Sequence, residues 1–128
     1  MSLEMKLLVW SAALAFVQVV IAVLGALMQV GLPTLAGNRD NIPVIAGWAG
    51  RADRAHRNMT HSLLLFAILV LVAQIAGRLD ATTALGAQLF FWARLAYAVV
   101  YIAGIPWLRT AVWAVSVVGL VMIFTRVI

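Results

Sequence analysis

Four continuous apolar runs, each about twenty residues long, constrain this chain more than any other feature. Wound as an α-helix, a run of that length spans the roughly 30 Å hydrocarbon core of a bilayer. A barrel strand would alternate apolar and polar positions over about ten residues, a pattern absent here. Lipid offers no hydrogen bonds, so each crossing must satisfy its own backbone groups, and a helix does this within itself. The composition agrees: 66% of the 128 residues are apolar and 10% are charged, more apolar surface than a water-soluble core of this size hides. The expected fold is all-α, an integral membrane four-helix bundle with four transmembrane helices arranged as antiparallel hairpins. One domain over residues 1–128 is expected, because four crossings consume most of the length.

The first span is expected from about Met5 to Gly31, with Lys6 at its start and the Gly31-Leu32-Pro33 breaker behind it. Its apolar stretch far exceeds the roughly 7–15 residues of a signal-peptide core, so it reads as retained. Gln18, Ala22, Gly25 and Gln29 recur along it at helical spacing. Small residues and amides on one stripe suit a helix–helix contact better than a lipid face. Thr34 to Ala49 reads as a polar connection, the longest loop, too interrupted by Gly and Pro to be helical throughout. A second helix begins near Trp48 to Arg51, stays polar through Asn58, becomes wholly apolar from Ser62 to Ala76 and ends at Gly77-Arg78-Leu79-Asp80. The third span covers about Ala84 to Gly104, and Ile105-Pro106-Trp107 turns into a fourth that ends at Arg126.

Arg39, Arg51, Arg54 and Arg57 lie in or near the first loop and Arg109 flanks the third, whereas the second loop offers only Arg78. The positive-inside rule therefore puts loops one and three in the cytoplasm and both termini on the far side, where Lys6 and Arg126 are single basic residues. Read this way, the formal charge of +5 is topology rather than a nucleic-acid patch, and no nucleic-acid partner is expected. Cysteine is absent, which removes disulfides, a thiolate nucleophile and cysteine metal sites. Any sulfur chemistry would use a thiol carried by a ligand. His56 and His61 are too few and too close together to clamp a haem, so no metal site is expected.

The informative residues are those that lipid penalises, since an arginine at mid-bilayer costs at least ~2.5–3.5 kcal/mol on insertion scales. On the second helix, Arg51, Arg54, Asn58, His61 and Leu65 follow three- and four-residue steps and share one face. Asp53 precedes Arg57 by four residues and is placed to pair with it. On the third helix, Phe90, Arg94, Tyr97 and Tyr101 share a face, with Arg94 deep in the apolar run and in need of a partner. With loops one and three on one side, Asn58, Tyr101 and Arg109 come to similar depth. Guanidiniums, an amide and phenols there would form a cationic, donor-rich cleft suited to an anion with several carboxylates. Simpler roles also fit these residues: Arg51 and Arg54 as headgroup-facing arginines, Arg94 as an interhelical tie, the two tyrosines as interface anchors. The five tryptophans, Trp10, Trp48, Trp92, Trp107 and Trp113, are placed as an aromatic belt and are assigned no chemistry.

Taken in order, Arg54-Ala55-His56-Arg57-Asn58, Phe66, Ala93-Arg94-Leu95-Ala96-Tyr97, Tyr101 and Pro106-Trp107-Leu108-Arg109-Thr110 resemble the MAPEG family over essentially the whole chain. These are the membrane-associated proteins in eicosanoid and glutathione metabolism. The resemblance implies a homotrimer of four-helix bundles in a bacterial cytoplasmic membrane, in contact with membrane lipids. It also implies glutathione as cosubstrate, bound between neighbouring subunits, and thiol-transfer, peroxidase or isomerase chemistry on lipophilic substrates. Carried over by position, Arg57 and Asn58 correspond to glutathione contacts, Arg94, Tyr97 and Tyr101 to the polar face of the third helix, Arg109 to the catalytic arginine near the sulfur, and Arg54 to a structural arginine. Where the family carries a glutamate that answers the ligand's ammonium, this chain has His61, a neutral acceptor; losing one charge-assisted bond costs roughly 1.5–3 kcal/mol. Leu64 stands where the family has proline, so this helix is expected to run straighter.

The leading expectation is a glutathione-dependent transferase or peroxidase acting on lipophilic electrophiles. A non-catalytic relative that binds lipid or a protein partner is the alternative that His61 raises. A small proton-coupled exporter would need a carboxylate inside the membrane, whereas Glu4, Asp40, Asp53 and Asp80 fall at span ends or in loops.

Overall fold

The computed structural model describes residues 1–38 and 43–128, and Arg39 and Asp40 of the first loop lie outside them. The described residues form α1 (Leu3–Val30), α2 (Leu32–Ala36), α3 (Gly47–Ile75), α4 (Ala81–Ala103) and α5 (Pro106–Val127). All but the five-residue α2 are long and apolar enough to cross a membrane. The ends follow from local chemistry. Ser2 caps α1 by accepting from the Met5 N–H, and the Asp80 carboxylate and Thr83 hydroxyl form a reciprocal capping box at the start of α4. Pro106 opens α5, a position where its missing N–H costs nothing.

The first loop is helical only in part among its described residues, in line with its Gly and Pro content. Leu32–Ala36 is a turn of helix with proline near its start, and Leu35 turns inward to seat it against the bundle. Without proline at position 64, α3 runs unbroken from Gly47 to Ile75, as expected.

α1 packs antiparallel on α3 and α4 antiparallel on α5, and the two hairpins join mainly through α3–α4 and α1–α4 contacts. Hydrogen bonds at the two ends fix the α1–α3 register. The Ser2 hydroxyl donates to Gln74 Oε1 at one end, and the Gln29 amide exchanges two hydrogen bonds with Ala46 at the other. Helices in lipid gain little hydrophobic energy from meeting each other, so close backbone approach carries much of the association. Gly86 and Gly119 supply it between α4 and α5: a Cβ on Gly86 would stand 2.7 Å from the Gly119 carbonyl oxygen. The apolar centre is built on Met59, Phe66, Val70, Phe90 and Ile123, with Phe66 and Phe90 stacked at 4.1 Å between ring centroids. Outward faces are apolar too, with Phe16, Val23, Ile68 and Val121 all exposed, as a lipid or subunit contact requires.

Candidate functional site

Asn58 on α3 and Arg94, Tyr97 and Tyr101 on α4 lie on facing stripes set by three- and four-residue spacing, and α5 begins beside them with Arg109. Arg94 is 1% exposed, so its charge is sealed inside the bundle. Its Nη2 donates to Asn58 Oδ1 at 2.7 Å, and its guanidinium carbon lies 4.2 Å from the centroid of the Tyr97 ring. Neither partner carries a negative charge. Stacking on a ring face is worth about 0.5–2 kcal/mol and leaves the cation formally uncompensated.

One turn closer to the α4 C-terminus, Tyr101 sits between two more arginines. Arg109 stacks on its ring at 4.6 Å, and Arg54 Nε donates to its hydroxyl at 3.3 Å. Arg51 Nε donates to the Ile102 carbonyl at 2.9 Å, tying the start of α3 to the end of α4. Four arginines thus gather in this half of the bundle on neutral acceptors. Among the described residues none of the four is in an ion pair; the described pairs are Asp53 with His56 and Arg57, and Asp80 with Arg126.

Asn58, Tyr97, Arg109, Thr110 and Trp113 line a small open cavity of about 170 Å³. Trp113, which the sequence places only in the aromatic belt, forms part of this wall. Ligand sites for small molecules usually hold about 300–1,000 Å³, so this cavity by itself is too small for one.

Arg57 does not join this cluster within one chain. It turns to the other side of α3, where its Nε lies 3.1 Å from Asp53 Oδ2, as the four-residue spacing anticipates. His56 approaches the same carboxylate at 3.4 Å. Asp53, His56 and Arg57 meet Val19, Val23, Leu32 and Leu35 around a cleft of about 490 Å³ between α1, α2 and α3. A second cleft of about 520 Å³ shares Asp53 and Arg57 and adds Arg54 and Gly50. His61 is exposed on α3, with no hydrogen bond to the described residues. Of the expected site residues, then, Asn58, Arg94, Tyr97, Tyr101 and Arg109 come together, while Arg57 and His61 face outward. No group of three or more metal-ligating side chains occurs among the described residues.

The profile of the MAPEG family matches residues 7–128, nearly the full length of the chain. The chain belongs to the MAPEG family. No curated protein and no solved structure matches it. As a MAPEG protein with four apolar helices, it is a multi-pass membrane protein built as a four-helix bundle. The residues that first suggested the family, from Arg54 to Thr110, all fall inside the matched range.

Proposed function

We propose that this MAPEG protein is a glutathione-dependent transferase or peroxidase for lipophilic electrophiles. In this reading it is a homotrimer in a bacterial cytoplasmic membrane, with loops one and three in the cytoplasm. The observation that carries the proposal is the surplus of positive charge around Tyr97 and Tyr101, where Arg51, Arg54, Arg94 and Arg109 meet only neutral partners. Glutathione brings two carboxylates and, when ionised, a thiolate, and so supplies the missing negative charge.

Size and direction support a site shared between subunits. The 170 Å³ corner at Arg109 is too small for a tripeptide, and Arg57 opens on a different face of the same chain. A neighbouring copy that sets its Arg57 face against the Arg109 corner would complete one pocket and cover His61 as well. Lipophilic substrates would then reach the sulfur from the surrounding bilayer.

A free thiol with a pKa of about 8.5 is mostly protonated at neutral pH, and each unit of depression needs about 1.4 kcal/mol of preferential interaction with the thiolate. Arg109 is the residue assigned that task. It opens α5 at the cavity wall with only a ring face as partner, so its N–H donors are free for sulfur. Arg109 stabilises the anion before attack; the thiolate then forms the bond from sulfur to the electrophilic carbon as the leaving group departs with the bonding pair. In the Arg109→Ala variant the ultraviolet absorbance of bound thiolate should disappear; undiminished absorbance would remove Arg109 from this role.

The exposed, unpaired His61 favours one second reading, a non-catalytic relative that binds lipid or a protein partner. Calorimetry with glutathione in nanodiscs separates the two. The enzyme reading predicts binding by the wild type, tightened by His61→Glu; no heat from either protein at millimolar glutathione favours the non-catalytic one.

A further inference from the structure

A buried polar atom usually has a hydrogen-bond partner, so the side-chain atoms without one among the described residues are informative. Four of the unpaired atoms belong to two residues: Nε2 and Oε1 of Gln18, and Nε and Nη1 of Arg94. Gln18 is 3% exposed and Arg94 1%, so neither reaches bulk water or a headgroup. The remaining unpaired atoms, Ser11 Oγ and His56 Nδ1, have simpler surroundings. A serine hydroxyl in a helix can turn to a carbonyl of the preceding turn. His56 lies on the α1–α2 side with Asp53.

The helix registers place Gln18 at the depth of Arg94. On the α1–α3 side, the bonds of Ser2 to Gln74 and of Gln29 to Ala46 bracket the pair of helices, and the antiparallel register between them sets Gln18 opposite Arg57 and Asn58. On the α1–α4 side, the Thr83 hydroxyl donates to Glu4 Oε2 at 2.6 Å, and the parallel register from that point sets Gln18 beside the turn that carries Arg94 and Tyr97. Gln18 also lies on the buried stripe of α1, with Ser11, Ala22 and Gly25, and so points into the bundle. α1, α3 and α4 thus each contribute polar groups to one layer, and Arg109 brings α5 to its edge.

The unpaired groups are chemically complementary. Arg94 has donors left over, and Gln18 has an amide oxygen left over. We propose that Gln18 is a positioning residue for Arg94: its amide oxygen accepts from the guanidinium across one buried water, and holds the cation toward Asn58 and Tyr97 from the α1 side. An amide is suited to this role because it fixes the guanidinium without neutralising it. A carboxylate at position 18 would hold the group equally well but cancel the field that an incoming anion meets. The functional half of this inference rests on the anion-binding reading above; the structural half does not.

The two halves separate in one experiment on the full chain in nanodiscs with ¹⁵N-labelled arginine. The Arg94 Nε–H resonance is identified by its loss in Arg94→Lys. In Gln18→Met, which keeps the side-chain length and removes the oxygen, that N–H should exchange with solvent about tenfold faster and its resonance should move. In Gln18→Glu the slow exchange should persist, while affinity for glutathione falls. An Arg94 resonance and exchange rate unchanged in Gln18→Met would overturn the proposal. If Gln18→Met does not fold, Gln18→Glu decides alone, because a carboxylate bonded to Arg94 across that water must shift its Nε–H and an unshifted resonance overturns the proposal equally. The resonance is read without glutathione. A wild type that binds no glutathione therefore defeats the proposed function, while a resonance indifferent to position 18 defeats this inference.

Discussion

Around Asp80, a carboxylate and an arginine of the chain pair with each other; toward Gly104, four arginines meet only neutral partners. In the first half, Thr83 donates its hydroxyl to the buried Glu4 and its backbone N–H to Asp80, and Arg126 Nε reaches Asp80 Oδ2 at 2.7 Å. Ser2 and Gln74 close the same end. In the second half, Arg51, Arg54, Arg94 and Arg109 rest on a carbonyl, a phenol, an amide and two ring faces. The only described acid nearby, Asp53, is taken by Arg57 on the far side of α3. A charge network that serves only the fold neutralises itself, because an unpaired charge in low dielectric is expensive. On the proposed function, the arginine half is the one an anionic ligand would meet, while the bonds around Asp80 act as a clasp that holds α1 and α5 to α4.

If that division is right, damage to the clasp costs stability and damage to the arginine half costs binding. The largest effect is expected from Thr83→Val. It removes the donor to Glu4 and the side-chain partner of the Asp80 N–H, together about 2–4 kcal/mol. Unfolding by detergent titration should show this loss, with glutathione affinity unchanged in the folded fraction. Next comes Arg94→Met. Removing the buried positive charge beside the cavity should weaken glutathione binding about tenfold, through its field rather than a direct contact, whereas exchanging a buried cation for an apolar chain should leave stability within about 1 kcal/mol. A variant that unfolds like Thr83→Val would make Arg94 part of the clasp and erase the contrast.

Much of this division was legible in the sequence, and the exceptions have physical causes. Run length and hydropathy located all four spans, and helical spacing put Phe90, Arg94, Tyr97 and Tyr101 on one stripe, where three of them are buried. Arg57 and Asn58 were grouped by resemblance, although adjacent residues on a helix point about 100° apart, and the structure sends them to different sides of α3. Gln18 was visible as part of a buried stripe but not as a neighbour of Arg94. That depends on the α1–α3 register, which is set by Ser2, Gln29 and their partners across the bundle rather than by any local pattern. Trp113 looked like every other interfacial tryptophan, because nothing in its own neighbourhood marks the cavity that Arg109 opens.

Position 61 sharpens the comparison from the other direction. It lies exposed on α3, one helical turn beyond Asn58, and offers a neutral imidazole where an acid would answer an ammonium group. His61→Glu should raise glutathione affinity about ten- to a hundredfold, the value of one charge-assisted bond. Calorimetry against a glutathione analogue lacking the free amine should show no such gain. A gain that persists with the analogue would mean that the new carboxylate acts on the protein's own arginines instead.

The smallest effect belongs to Asp80, and its sign follows from what surrounds the carboxylate. The Thr83 backbone N–H, the bond from Arg126 and the Arg126 charge hold its pKa below the ordinary value of 3.8. A group with a depressed folded-state pKa contributes stability above its unfolded value and loses that contribution as the pH falls through the folded one. The Asp80–Arg126 clasp is therefore intact at neutral pH and weakens only in strong acid, below pH 3.8. Asp80→Asn should lower stability slightly at neutral pH and flatten its decline in acid, since the amide has no charge to lose. The pair is solvent-exposed, so salt should erode the difference between wild type and variant as well. Glutathione affinity should follow neither change, because Arg126 and Asp80 sit at the opposite end of the bundle from Arg109; affinity that tracked Asp80 would tie the two halves together.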